Sequence, residues 1–408
     1  MNTGPAAKEG ASGPVAVQAD RGGTDLVPAL LDGLRGTHPA MVLLFGAEGD
    51  ELAALAQALT PGLPEGCVIA GCSSAGEIGP QGYASDSVVA IGFPARHFRA
   101  AALVLPDLSA LPVSGWMASL RAMARSFGHD ADRSLFGLLL VDGLTGQEDA
   151  LVATLDAALP SVPVLGGSAG DGLDFKVTSL LGQGVVQSNV AVFLLVETDL
   201  TIREVTFAHF SPTPTRAVVT AAIPERRRIL ELNAEPAADE YARLTGLTRA
   251  SLTPTEFARH PLLLRMGRRH HVRAISAVTD DGGLSLMSAI DTGTVLTLGR
   301  AEDMTQGFSD ALDALPRPPL MVLAFDCILR RLALERAGLM DRMSDLYRHH
   351  RVAGFNTYGE QHSGMHVNQT FVGLAFMDPA GADRVHPDAP PDPAPPDPAP
   401  SDRPHHAA

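Results

Sequence analysis

One turn motif is written three times in this chain, and repeating such a turn means repeating the supersecondary unit around it. Residues 68–93 read VIAGCSSAGEIGPQGYASDSVVAIGF, residues 164–195 read VLGGSAGDGLDFKVTSLLGQGVVQSNVAVFLL, and residues 352–376 read VAGFNTYGEQHSGMHVNQTFVGLAF. Each copy has an apolar strand, a glycine, small hydroxyl residues, a Gly-Glu or Gly-Asp pair, a loop and a second apolar strand. The leading glycines, Gly71, Gly166 and Gly354, stand 95 and 188 residues apart, one period and two. The doubled gap predicts a degenerate fourth copy around residues 265–290. The period is too long for a solenoid, so it predicts four half-domains paired into two similar domains.

Short continuous apolar runs alternate with helical patterns along the chain. MVLLFGA (41–47), FGLLLVDGL (136–144), NVAVFLLV (189–196), PLMVLAFDC (319–327) and TFVGLAFM (370–377) read as buried strands. GDELAALAQAL (49–59), GQEDALVATLDAAL (146–159) and EPAADEYARLTG (235–246) read as helices. Residues 327–350 read as one long helix, with Ile328, Leu332, Leu339, Met343 and Leu346 on a stripe. The alternation predicts an α/β class of mixed α+β character, with packing helices. Residues 1–24, rich in Gly, Ala, Pro and Ser, and the Pro/Asp tail at 379–408 read as disordered. The two domains then run 25–248 and 249–378.

With 45% hydrophobic residues among 408, the chain can bury real cores. A net charge of −15 and only 5% aromatic residues argue against nucleic acid, which needs a basic footprint and stacking platforms. Three cysteines without zinc spacing fit a reducing, cytoplasmic setting. No run approaches the about 20 apolar residues that span a bilayer, so no membrane insertion is expected. GGSAG (166–170) matches the G-x-S-x-G elbow, but DGLDF follows where the elbow needs a helix. HSGMH (362–366) lacks the glutamate of a zinc helix and reads as a loop into a strand. Nothing joins a nucleophile to a base, so the chain is not expected to be an enzyme. RMGRRHHVR (265–273) gathers Arg265, Arg268, Arg269 and Arg273 into a patch suited to an anion. ERRR (225–228) reads as a plain surface loop.

The repeated signature resembles the FIST family of sensory domains, which occur in tandem as N-terminal and C-terminal types. The resemblance rests on GCSSAGEIGPQGYASDSVVAIGF (71–93), VPVLGGSAGDG (162–172), SAIDTGTVLTLGRAEDM (288–304), FDCILRR (325–331) and GFNTYGEQHSGMHVNQTFVG (354–373). Segments 207–227, 257–273 and 325–335 are most similar to a stand-alone bacterial branch that includes nitric-oxide-sensing haemoproteins. That resemblance implies haem b, with iron held by His209, or else by His366 or His260, and Arg268 and Arg273 facing the propionates. It also implies a separately encoded partner, a histidine kinase or a cyclic-di-GMP enzyme. The alternative it implies is a metal-free sensor of a small metabolite such as an amino acid. Gly359, Glu360 and Asn368 would then meet an ammonium or amide group at a strand mouth.

Overall fold

The computed structural model describes residues 13–267 and 269–379, with only the backbone of Arg269. The first unit runs β1 (Val15–Asp20), α1 (Leu26–Leu34), β2 (Pro39–Phe45), α2 (Gly49–Leu59), β3 (Val68–Cys72), β4 (Glu77–Gly79), β5 (Gly82–Ala84) and β6 (Ser87–Pro94). β2 and β3 are parallel and joined across α2, β6 pairs antiparallel with β2, and β1 pairs with β6. The second unit repeats this with β7 (Phe98–Leu105), α3 (Val113–Phe127), β8 (Ser134–Asp142), α4 (Glu148–Ala158), β9 (Val164–Ala169), β10 (Leu180–Gly182), β11 (Val185–Gln187) and β12 (Ala191–Thr198). Acidic residues open both crossover helices, Asp50 and Glu51 in α2 and Glu148 and Asp149 in α4, where they complement the helix dipole.

The third unit opens with β13 (Thr201–Phe207) and is then interrupted by an inserted region. That region comprises β14 (Phe210–Ile223), β15 (Arg228–Leu232), β16 (Glu235–Pro236), α5 (Ala237–Thr245), α6 (Pro254–Arg259), β17 (Leu262–Met266), β18 (Arg269–Arg273), β19 (Ile275–Val278), β20 (Leu284–Leu286) and β21 (Val295–Ala301). The unit then resumes with α7 (Met304–Asp313), β22 (Met321–Cys327), α8 (Ile328–Ala337), α9 (Met340–His349), β23 (Val352–Thr357), β24 (Glu360–His362), β25 (Met365–Val367) and β26 (Phe371–Met377).

Each unit gives its short hairpin to a neighbour. The strand orders are β1-β6-β2-β3-β10-β11, β7-β12-β8-β9-β24-β25 and β13-β26-β22-β23-β4-β5. The exchange is cyclic: unit two extends unit one, unit three extends unit two, and unit one extends unit three. Each β3-type edge is thereby covered, which removes an open template for wrong pairing. The largest core draws Phe45, Phe93, Phe136, Phe325 and Phe376 from all three units. The insertion folds as an antiparallel sheet, β18-β17-β21-β14-β15-β20-β19, over a separate core containing Tyr241 and Phe257.

The expected mixed α/β class, with helices packed on strand–glycine-turn–strand units, is observed. Several local expectations need correction. Residues 265–290 are not a fourth copy: they belong to the β17–β18 and β19–β20 hairpins of the insertion. The insertion is about one unit long, and this doubles the glycine spacing. Residues 15–20, read as disordered, pair along their whole length with β6, and Val17 packs on α1 at Gly33. The helix read over 327–350 is two helices, divided at Gly338 (φ 67°). The tail lies outside the described residues beyond Pro379.

Candidate functional site

The three glycine turns meet one another. Asn356 N–H donates to the Gly76 carbonyl at 2.7 Å, and Ala75 N–H donates back to Asn356 at 2.9 Å. Ser168 N–H reaches the Gly359 carbonyl at 2.8 Å, and Tyr358 N–H reaches Ser168 at 3.0 Å. Gly172 N–H closes the ring onto Ser74 at 3.1 Å. The leading glycines are required by close approach. A Cβ on Gly166 or Gly354 would lie 2.7 Å from the carbonyl carbon of Leu139 or Ala324 on the partner strand, and nearer still to its oxygen. The ring sits at the carboxyl ends of the parallel pairs, where open α/β sheets bind ligands. Each unit presents a different environment there.

Over the first turn lies an open cleft of about 440 Å³, lined by Ser73, Ser74, Gly76 and Glu77, the loop 171–177, Arg21 just after β1 and Glu48 at the start of α2. Glu77 is 5% exposed, and its carboxylate accepts from Ser74 (2.6 Å) and Ser87 (3.2 Å). Burial raises its pKa. Burial would also raise that of Asp171, but hydrogen bonds overcome this and hold it low. The donors are the Tyr358 hydroxyl and the backbone N–H groups of Phe175, Lys176 and Val177, the last three at 2.7–2.8 Å. One carboxylate thus folds the loop over the cleft. Phe175 stacks on Tyr358 with centroids 4.4 Å apart, while Leu173, Phe175 and Val177 stay exposed.

At the second turn a buried polar nest forms against the insertion. Gln361 donates to Ser168 Oγ (2.9 Å) and faces His366 Nδ1 (3.3 Å). Arg227 donates to Glu148 (2.6 Å) and Asp149 (3.3 Å), so ERRR is not the plain surface loop expected. Arg227 holds a left-handed backbone (φ 51°) that turns its side chain toward α4.

At the third turn the corresponding place is filled by protein. Arg330 Nε donates to Asp326 at 2.7 Å, with both side chains fully buried. Tyr347 (2.9 Å) and Tyr83 donate to the other oxygen of Asp326. Arg330 Nη1 lies 3.4 Å from His209 Nδ1. Burial, then the Arg330 charge, push the His209 pKa well below the usual range, so the ring is neutral.

The structure scatters the residues singled out in the sequence. Gly359, His366 and Asn368 come together: a Cβ on Gly359 would lie 2.9 Å from both His366 Nε2 and Asn368 Nδ2. Arg273, 6% exposed, acts electrostatically on His366 from β18. Glu360 is fully buried, accepts from Thr357 (2.5 Å) and Thr370 (2.6 Å), and is pushed up to about 8 by burial. His209 belongs to the separate Asp326–Arg330 cluster. His260 caps α6, half-exposed, with its carbonyl accepting from Tyr241 at 2.7 Å. Arg268 lies outside the described residues. HSGMH forms a hairpin turn, with positive φ at Ser363 and Gly364. Sequence reasoning missed Glu77, Asp171, Arg227 and Arg330. Glu77 carried a signal, being the first-copy counterpart of Glu360. So did Arg330, four residues after Asp326.

Among the described residues no group of three His, Cys, Asp or Glu side chains is placed to hold a metal ion, and no helix is long and apolar enough to cross a membrane. A family model described as FIST N domain matches residues 40–235, and one described as FIST C domain matches residues 237–363. No curated protein matches the chain.

Proposed function

Because this chain belongs to the FIST family, whose domains sense small ligands in signal transduction, we propose that it senses a small amine-bearing metabolite in the cleft over the first glycine turn. The observation that carries this reading is the pairing of Glu77 and Asp171 across a cavity of about 440 Å³. Carboxylates from Glu48, Asp86 and Asp174 share the lining, while its cations are committed elsewhere: Arg21 to Glu48 and Glu51, Lys176 to Asp174. An ammonium group there gains charge-assisted hydrogen bonds, and its carbon skeleton meets the loop. Glu77 belongs to unit one and Asp171 to unit two, so a ligand touching both favours the closed loop. That differential contact is what lets a ligand shift a population. The output is proposed to pass to a separately encoded signalling enzyme, such as a histidine kinase or a cyclic-di-GMP enzyme.

The histidines that a haem would need lie in other surroundings. His209 faces a buried guanidinium, and His366 is wedged between Gly359 and Gln361. Neither ring lines the cleft or the cavities of about 300 and 330 Å³ beside the β24–β25 hairpin. The described residues therefore do not fit a haem held by His209 or His366, and His260, half-exposed at the end of α6 beside Glu256, lines none of these cavities either.

Calorimetric titration with a panel of amines and amino acids tests the proposal. At least one should bind, and Glu77→Gln should weaken it about tenfold or more, the worth of a charged hydrogen bond. Binding that Glu77→Gln leaves unchanged would overturn the cleft assignment. A Soret band of defined coordination after haem supply would restore the haem reading.

A further inference from the structure

The cleft over the first turn is lined by five carboxylates, Glu48, Glu77, Asp86, Asp171 and Asp174, against two cations, Arg21 and Lys176. Both cations are committed: Arg21 pairs with Glu48 at 2.8 Å and Glu51 at 2.6 Å, and Lys176 with Asp174 at 3.2 Å. Glu77 is buried against the glycine turn, while Glu48, Asp86 and Asp174 stand exposed at the mouth. The donors to Glu77 are neutral, namely the Ser74 and Ser87 hydroxyls and the Ser87 backbone N–H. Arg331 acts on Glu77 electrostatically, but its own donors go to Ala84, Ser85, Asn356 and Glu335. Asp86 is in no ion pair among the described residues.

A single metal ion does not answer this charge. Among the described residues no three His, Cys, Asp or Glu side chains could hold one ion, so the carboxylates are spread along the cleft rather than gathered at a point. An amino acid answers it poorly, because its own carboxylate would enter a net negative lining with no uncommitted cation. Spread negative charge matches a ligand whose cations are spaced along a chain. Resting on the cleft reading, we infer that the ligand is a linear diamine or polyamine that carries no carboxylate. One ammonium meets Glu77 and supplies the charge partner that a buried carboxylate needs. The methylene chain passes Ala75, Gly76 and Gly172, whose small side chains leave width for an unbranched chain. The second ammonium meets Asp86 at the mouth. The buried end thus anchors the ligand, and the exposed end counts its charges.

The test is calorimetry on the full chain at low ionic strength with putrescine, spermidine, butylamine, ornithine and magnesium. Butylamine lacks the second ammonium of putrescine, and ornithine is putrescine with a carboxylate added. Putrescine or spermidine should bind about tenfold or more tightly than either. Asp86→Asn should weaken putrescine about threefold, the worth of an exposed ion pair, and leave butylamine unchanged. Asparagine tolerates the left-handed backbone at this position (φ 53°), so the variant should keep the wild-type melting temperature. The inference is overturned if butylamine or ornithine binds as tightly as putrescine, or if Asp86→Asn leaves putrescine unchanged. It is overturned equally if equimolar magnesium displaces putrescine, which would show diffuse charge attraction only. The cleft reading survives those outcomes when Glu77→Gln weakens whichever amine binds. Both fall together if no amine binds or if Glu77→Gln changes nothing.

Discussion

Gly354→Ala puts the cyclic exchange at risk with a single methyl group. Its Cβ would lie 2.7 Å from the Ala324 carbonyl carbon and 2.9 Å from Ala324 N, where ordinary contact needs about 3.4 Å. Every close atom is backbone of β22, the strand between β23 and β26, so no side-chain rotation relieves it. β23 must move by about 1 Å, which also pulls the Asn356 N–H from the Gly76 carbonyl and loosens the ring of turns. Overpacking of this kind costs about 1–3 kcal/mol, and a strained backbone hydrogen bond adds about 1, giving about 3 kcal/mol, a factor of about a hundred in the folded ratio. Gly166→Ala is equivalent in the second unit and should cost about the same. Gly36→Ala is the control: φ is 85° but nothing lies within 4 Å, so only the left-handed penalty of about 1 kcal/mol applies. The assay is urea unfolding followed by circular dichroism and by Trp116, the only tryptophan, buried in α3 of unit two. Because unit three lends its hairpin to unit two, Gly354→Ala should shift both signals together. If Trp116 keeps its wild-type midpoint while the dichroism moves, the units melt independently and the reasoning fails. It fails equally if Gly354→Ala is tolerated within about 0.5 kcal/mol.

Three further outcomes follow from particular groups. Glu360 has its pKa raised to about 8, so the folded state holds a proton that the unfolded chain releases near pH 4.5. Its contribution is fully present below pH 4.5 and is lost as pH rises toward 8; Glu360→Gln should flatten that decline in pH-dependent melting and make the protein more stable than wild type at pH 8.5. Arg330→Met leaves Asp326 buried with only two tyrosine hydroxyls and should cost about 3–5 kcal/mol, while Arg330→Met with Asp326→Leu should recover much of it in a double-mutant cycle. Asp171→Ala removes the acceptor of three backbone N–H groups, so limited chymotrypsin digestion should cut at Phe175 faster; an unchanged rate would show that the loop is held by something else.

The glycine turns were legible because their constraint is local and leaves a compositional mark. Where two parallel strands approach so closely that a Cβ would strike a carbonyl, only glycine serves, and Gly71, Gly166 and Gly354 record that three times. The apolar strands and crossover helices were legible for the same reason. Which hairpin covers which edge left no mark, because β4–β5 would pair as readily with any exposed parallel strand; closure of the three units selects the partner. The same holds at the sites. Glu77 and Glu360 follow the same Gly-Glu signature and accept from equivalent hydroxyls, Ser74 and Thr357. One lines an open cleft and the other is sealed in the core, because different segments pack over the two turns. Arg227 and Arg228 are neighbours of one charge, yet Arg227 reaches a buried glutamate and Arg228 a half-exposed aspartate. Backbone geometry follows from short stretches of residues. Solvation of a charge depends on whatever the rest of the chain brings against it, so the sites were decided only in three dimensions.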